Sequence, residues 1–173
     1  MIYTNHFYPE NFKINEVTNW LVESGYSVHV ITGWPNYPRG VFFKGYGPFR
    51  NSFEKIGKLS IRRLPLIPRG RGSKIRLLLN YSSYFVSTLF YTLFLILFKR
   101  KYDNILVHHT SPFFIAFSAA FYKKFRKSNS ILWDLDIWPH TLVAMGIIKS
   151  KFLISILENI IGLTYKTFNL VLV

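Results

Sequence analysis

A carboxylate, an indole and an imidazole stand close together in the sequence, at Asp136, Trp138 and His140. They directly follow the apolar stretch 130–135, whose composition predicts a short buried strand. Open α/β sheets bind their ligands at the carboxyl ends of strands, so this position predicts a binding site. The alternative interpretation is a capped turn, in which the Asp136 carboxylate accepts hydrogen bonds from backbone amides and Trp138 fills the core.

Polar residues follow other predicted strands in the same way. They are Glu10 and Asn11 after strand 2–4, Asn36 and Tyr37 after strand 27–32, and His108, His109 and Ser111 at the end of strand 104–108. Adjacent side chains of an extended strand point to opposite faces, so His108 and His109 make a poor zinc site. We therefore expect no bound metal.

The elements that must position these residues alternate between strands and helices. Apolar residues recur at helical spacing over 12–24, and Gly25 is suited to the end of a helix. Strand 2–4, this helix and strand 27–32 form one βαβ unit, which requires parallel strands. Further strands are predicted at 59–66, 104–108, 130–135 and 169–173, and further helices at 77–98, 113–126, 141–146 and 150–166.

This alternation predicts an α/β fold with helices on both faces of a parallel sheet. The polar loops 5–11, 33–48, 108–112 and 136–140 should then lie at one edge of the sheet. Segment 51–58 is interpreted as a charged bend. Ser111 is predicted to cap the helix that follows it, with Pro112 as the first helical residue.

The composition limits the class of protein. A chain of 173 residues is about one domain, and half of its residues are hydrophobic. It has no cysteine, which excludes disulfides and thiolate metal sites and makes the cytoplasm the expected compartment. The net charge of +14 implies an anionic partner, such as phospholipid or pyrophosphate. The aromatic residues are not interleaved with the basic ones, so we expect no nucleic-acid partner.

Positive charge is concentrated in the loop 68–74, where Arg69, Arg71 and Lys74 stand among glycines. Such a loop can wrap a phosphate, and the alternative is a solvated linker. The uncharged run 77–98 follows and is long enough to span a bilayer. Its polar residues, and the need for a crossover within one sheet, favour instead a helix half buried in the fold and half pressed on lipid headgroups. An ordinary buried crossover helix is the alternative.

The order of these motifs resembles one known group of proteins. Y-P-E-N-F-K-I-N-E, T-G-W-P-N-Y-P-R-G, R-L-P-L-I-P-R-G-R-G-S-K and D-I-W-P occur here in sequence. Together they resemble the N-terminal half of family-4 glycosyltransferases of GT-B architecture, and most closely the O-antigen and capsule enzymes proposed to transfer N-acetyl-L-fucosamine. The resemblance covers nearly the whole chain. His140 stands where the family commonly has glutamate, and the first strand is shorter than usual.

The resemblance implies a single Rossmann-like acceptor domain over 1–173, ending inside a strand, with the donor domain missing. The reaction would be retaining transfer from a nucleotide-sugar, held mainly by the missing half, without any other cofactor. The acceptor would be a glycan on undecaprenyl pyrophosphate, and the protein would lie on the inner face of the bacterial cytoplasmic membrane. A separate chain could supply the donor half, and this chain alone is expected to be inactive.

The resemblance also implies roles for residues. Asp136 would orient the acceptor and His140 would relay a proton, so these two are the catalytic candidates. The acceptor-binding candidates are Glu10, Asn11, Asn36, Tyr37, His108, Ser111 and Trp138, and the phosphate- or lipid-binding candidates are Arg69, Arg71 and Lys74. The competing hypothesis is a non-catalytic Rossmann-like module that docks on an anionic membrane or a protein partner.

Overall fold

The computed structural model describes residues 1–48, 50–71, 73–98, 101–144 and 146–173. Its strands are β1 (Ile2–Thr4), β2 (Val28–Gly33), β3 (Phe53–Ile56), β4 (Leu59–Leu64), β5 (Asn104–His109), β6 (Asn129–Asp134) and β7 (Leu170–Leu172). Its helices are α1 (Lys13–Glu23), α2 (Lys74–Phe98), α3 (Phe114–Arg126), α4 (His140–Ala144) and α5 (Lys151–Tyr165). The strands form one sheet in the order β3-β4-β2-β1-β5-β6-β7, with helices on both faces. The predicted Rossmann-like α/β/α fold is confirmed.

The described strands run parallel, except that β3 pairs antiparallel with β4. The prediction of a bend over 51–58 is wrong, because the middle of this segment forms β3. Gly57 and Lys58 make the hairpin turn, with Gly57 at a φ of 55°. Glu54 and Lys55 interrupt the apolar pattern of the strand. Lys55 is exposed at the edge of the sheet, and Glu54 accepts a hydrogen bond from the buried Arg63 at 2.8 Å.

Two apolar clusters hold the layers together, one on each face of the sheet. On one face Ile2, Val30 and Ile61 pack with Ile14 of α1. On the other face alternate strand residues pack with α3, for example Tyr3, Val107 and Leu132 with Ala116. Successive residues of a strand point to opposite faces, so β1, β2 and β4 each contribute to both clusters.

The long helix α2 turns its polar residues toward the sheet. Its buried residues are Asn80, Tyr84, Thr88, Thr92 and Leu95. The Tyr84 hydroxyl donates to the carbonyl of Thr4 at 2.7 Å, and the hydroxyls of Tyr3 and Thr92 lie 3.0 Å apart. Burial raises the pKa of both phenols, so they stay protonated. The helix is thus fixed to β1 by hydrogen bonds as well as by apolar packing.

The outer side of α2 is apolar and exposed. Val86, Phe90, Phe94 and Leu97 form a stripe at helical spacing, each at least 40% exposed. By length and composition, α2 is the candidate membrane span among the described residues, with 22% of its most apolar stretch buried. Its two ends join β4 and β5 of one sheet, as the crossover prediction required. Lys101 is exposed, and residues 99 and 100 of the predicted basic flank lie outside the described residues.

The polar loops meet at one edge, as predicted. Loops 5–11, 33–48, 110–112 and 135–139 follow β1, β2, β5 and β6, which are all parallel. Their carboxyl ends therefore lie along the same edge of the sheet. We call this the carboxyl edge.

Candidate functional site

Hydrogen bonds of Asn5, directly after β1, connect it to the loop after β5 and to the end of β2 at the carboxyl edge. The Asn5 side-chain amide donates to the carbonyl of Ser111, in the loop after β5. The carbonyl of Asn5 accepts from the hydroxyl of Thr32, at 3.3 Å. These contacts lie beside a narrow crevice of about 10 Å³, lined by Asn5, His6, Asn36, Leu66, Asn80, Tyr81, Tyr84, Ser111 and Pro112. Such a volume holds about one water molecule, so a larger ligand would lie across the mouth of the crevice and not inside it.

Glu10 clamps the loop after β2 onto the loop after β1. Its side chain is 2% exposed. One carboxylate oxygen accepts from the backbone amides of Asn36 and Tyr37, at 2.7 and 2.6 Å. The other oxygen lies 2.7 Å from Nδ1 of His6. Both oxygens are thus committed to protein donors, which gives Glu10 a positioning role behind the crevice.

His6 is held in one orientation by this carboxylate and by aromatic packing. Its ring stacks on Phe12 with centroids 4.6 Å apart and contacts the ring of Tyr37 at 5.2 Å. An ionised carboxylate can only accept a hydrogen bond. Nδ1 of a neutral His6 therefore carries the proton and donates a hydrogen bond to Glu10. Nε2 is then the nitrogen able to accept a proton or a hydrogen bond in the crevice.

Arg69 lies at the mouth of the crevice, between two tyrosine rings. Its guanidinium donates to the Tyr81 hydroxyl at 3.2 Å and lies 5.4 Å from the ring centre of Tyr37. Its backbone amide donates to the side-chain oxygen of Asn36 at 3.2 Å. A guanidinium held in this way is ordered before any anion arrives, which suits it to bidentate binding of a phosphate.

Two glycines allow the loop of Arg69 to approach the loop after β2. The amide of Gly70 donates to the carbonyl of Gly40 at 2.8 Å. A Cβ atom on Gly40, whose φ is 73°, would lie 1.7 Å from the carbonyl oxygen of Gly70. A larger residue at this position would therefore push Arg69 away from the crevice.

Trp138 connects the loop after β6 to the crevice. Its indole N–H donates to the Ser111 hydroxyl at 3.2 Å and to the Asp136 carboxylate at 3.3 Å. The Ser111 hydroxyl is thereby engaged, and α3 begins instead after Phe113, with no side-chain cap. The prediction that Ser111 caps this helix is wrong, because its backbone has a φ of 100° and turns away from the helix.

A buried polar network supports the end of β6 from below. The Asp134 side chain is 0% exposed and accepts from Nδ1 of His109 at 2.6 Å, from the Tyr165 hydroxyl and from the amide of Asp136. Burial opposes its ionisation, but the bonds from His109 and Tyr165 outweigh this and hold the pKa of Asp134 below its usual value. Burial and the nearby carboxylate raise the pKa of Tyr165. The network joins β5, β6 and α5 directly beneath Asp136.

His108 lies beneath the crevice and not in it. Its side chain is buried, with Nδ1 3.0 Å from the Thr4 hydroxyl and its ring 5.1 Å from that of Trp133. Burial, and secondarily the neighbouring His6 and His109, lower the pKa of His108 to about 4. It is therefore a neutral packing residue at physiological pH.

The stability of the fold should consequently fall as the pH is lowered from about 6.5 toward 4. The unfolded state binds a proton at the ordinary pKa of 6.5, whereas folded His108 stays neutral down to about 4. The stabilisation that comes from neutral His108 is complete above pH 6.5. It is lost as the pH falls from 6.5 to about 4, by about 3 kcal/mol in total. Urea unfolding at a series of pH values measures it. His108→Gln should flatten the slope, and His140→Gln, at an exposed site, should leave it unchanged. A wild-type slope in the His108 variant would contradict the assignment.

The remaining predicted residues lie around this centre. Asn11, His140, Arg71 and Lys74 are exposed, and Tyr37 is 40% exposed at the rim. The sequence reasoning missed Asn5, His6, Asn80 and Tyr81. The signal for Asn5 and His6 was available, since they come directly after β1, where the other strand-end candidates were found. Over the described ranges, no group of three or more His, Cys, Asp or Glu side chains is placed to hold a metal.

Comparison with known proteins gives no match, either to a protein-family model or, at a significant level, to a curated protein. The fold itself defines a Rossmann-like α/β protein with a polar crevice at the carboxyl edge of its sheet.

Proposed function

We propose that this chain is the acceptor-binding half of a retaining GT-B glycosyltransferase of family 4. The observation that supports this most is the mouth of the crevice, where amide and hydroxyl side chains lie beside an oriented histidine and Arg69. Amides and hydroxyls are the groups that bind sugar hydroxyls, and an ordered guanidinium binds phosphate. A glycan linked to undecaprenyl pyrophosphate carries both. The sequence motifs given above agree with this class.

In the proposed reaction, a bond forms between an acceptor oxygen and the anomeric carbon of the donor sugar. The bond from that carbon to the diphosphate of the nucleotide breaks, and the hydroxyl proton leaves the acceptor. Asp136 orients the acceptor. Its carboxylate accepts a hydrogen bond from the Trp138 indole, and its backbone amide donates one to the Asp134 carboxylate. His6 receives the proton at Nε2. It fits this role better than His140, because His140 is exposed whereas His6 lines the crevice.

The nucleotide-sugar would be held mainly by a donor domain, in the same protein or in a separate chain, without another cofactor. The proposed place of action is the inner face of the bacterial cytoplasmic membrane, in O-antigen, capsule or exopolysaccharide synthesis. Arg69, Arg71 and Lys74 would contact the acceptor pyrophosphate, and the exposed stripe of α2 would lie against the lipid.

Titration of this chain with detergent-solubilised undecaprenyl-pyrophosphate glycan tests the proposal. We expect saturable binding that Arg69→Gln weakens about tenfold or more, through the loss of a charge-assisted bond. Lys55→Gln, an exposed charge on β3, is the matched control. We expect no sugar transfer by the chain alone, and transfer after a family-4 donor domain is fused or added. Turnover by the isolated chain, or no glycan binding at all, would overturn the proposal.

The second candidate is a non-catalytic module that docks on an anionic membrane. The exposed stripe of α2 and the net charge of +14 favour it. In the same titration it predicts binding to undecaprenyl pyrophosphate with or without the glycan, at equal affinity, and no effect of crevice variants.

A further inference from the structure

A groove lies at the opposite edge of the sheet, near the amino ends of β6 and β7 and away from the crevice. It runs along the C-terminal half of α3, with the α5–β7 connection as its other wall, and its volume is about 610 Å³. This falls within the ~300–1,000 Å³ of ordinary ligand pockets. The groove is thus large enough for an elongated ligand, and nothing in the proposed transfer reaction uses it.

The wall and the rim of the groove differ in character. Phe117, Ala120 and Phe121 line its wall, and Lys123, Lys124 and Lys127 lie along its rim. No acidic side chain is among the described residues that line it. Lys123 is tied to the carbonyl of Thr167 across the groove, whereas Lys124 and Lys127 are exposed. The ligand that matches this arrangement has an apolar chain and an anionic head.

The groove continues into the outer apolar surface of the helical layer. Phe117 contacts Phe85 of α2, with ring centres 6.4 Å apart, and Phe121 contacts the exposed Phe125 at 4.8 Å. Helix α5 packs on the same face of the sheet, through Tyr165 against Phe113, and it exposes Phe152, Ile156 and Ile160. A soluble anion would account for the lysines but not for this apolar continuity.

We propose that the groove binds one acyl chain of an anionic membrane phospholipid, with the lipid phosphate against Lys124 and Lys127. The apolar chain lies against Phe117, Ala120 and Phe121, and the surrounding helices rest on the bilayer surface. This site is independent of the crevice and of Arg69, so it holds the sheet at the membrane by its amino edge. The proposal stands whether or not the chain takes part in sugar transfer.

Vesicle sedimentation tests the role of the lysines. We expect binding to vesicles of phosphatidylcholine with phosphatidylglycerol, and little binding to phosphatidylcholine alone. Lys124→Gln with Lys127→Gln should weaken the partition coefficient about thirtyfold, at about 1 kcal/mol for each basic residue near an anionic surface. Lys44→Gln with Lys55→Gln removes the same charge from exposed sites elsewhere and should change it by less than about threefold. An equal loss in both pairs would mean diffuse attraction and would overturn the site.

Titration with monomeric lysophosphatidylglycerol tests the acyl chain. Ala120→Trp fills the groove without changing charge and should abolish binding, while Ala144→Trp, on exposed α4, should not. Circular dichroism checks that both variants are folded. If Ala120→Trp is unfolded, the vesicle experiment with Lys124→Gln and Lys127→Gln still decides the proposal. Inorganic phosphate that binds as tightly as the lysolipid, or unchanged lysolipid binding in Ala120→Trp, would show that no chain enters the groove.

Discussion

Replacing Asp134 by asparagine is expected to lower the free energy of unfolding by about 3 kcal/mol, because a buried donor that loses a charged acceptor is left without a hydrogen bond. The carboxylate is fully buried and accepts from His109, Tyr165 and the amide of Asp136. An amide keeps one oxygen but turns an NH2 group toward a donor. At least one partner then loses its acceptor inside the core. Urea unfolding with linear extrapolation at pH 7 measures the effect.

Glu158→Gln is the matched control, since it removes one carboxylate from an exposed position on α5. It should change the unfolding free energy by less than about 0.5 kcal/mol. The pH dependence gives a second check. Because the folded state holds the pKa of Asp134 below its ordinary 3.8, its stabilisation is complete above that value and is lost as the pH falls below it. A loss of under about 1 kcal/mol in the asparagine variant would contradict the network's structural role.

The fold could be predicted because its signals are local and repeated. Strand and helix alternation fixed the parallel order, and Gly25 marked the end of α1, where its φ is 94°. The failure at β3 has a physical reason. Lys55 faces solvent at the edge of the sheet, and Glu54 pairs with the buried guanidinium of Arg63 at 2.8 Å, so this strand lacks the apolar pattern of the others.

Helix α2 shows a different limit. Its polar residues and the crossover predict a half-buried helix, and the structure places Asn80, Thr88 and Thr92 against the sheet. Periodicity alone cannot show which side of a helix is inside when both sides are mostly apolar. The hydroxyl bonds to β1 decide it, and they depend on tertiary contacts between residues far apart in sequence.

The sequence predicts where the site lies better than it predicts the role of each residue in it. Strand ends indicated the edge, and Asn36, Ser111, Trp138 and Asp136 are all found there. The role of each residue at this edge depends on the contacts that its loop makes with neighbouring loops. Glu10 was expected to line the cleft, yet its oxygens are used by the backbone of the next loop. Asp134 is the buried aspartate. Successive side chains of β6 point to opposite faces of the sheet, so Asp134 lies on the face covered by α3 and Trp133 on the other face.

The largest expected effect on activity is that of His6→Ala in a protein that carries a donor domain. If His6 receives the acceptor proton, its loss should lower kcat about 10²–10⁴-fold, the range for a positioned acid–base group. Asp136→Ala should lower kcat by about a hundredfold or more for the related reason that the acceptor hydroxyl is no longer oriented. Initial rates at saturating acceptor, with a radiolabelled nucleotide-sugar, give kcat directly.

Two controls separate the proton-accepting role of His6 from packing. His140→Ala removes an imidazole from an exposed position beside the same edge and should leave kcat within about threefold, since it abolishes no proton transfer. Glu10→Gln keeps the shape of the clamp but removes the charge that orients His6 through Nδ1. It should therefore lower kcat about tenfold while glycan affinity changes little, because an imidazole without its carboxylate spends less time in the productive tautomer. If His6→Ala and His140→Ala have the same kcat, or if His6→Ala acts only by weakening glycan binding, the proton does not pass through His6.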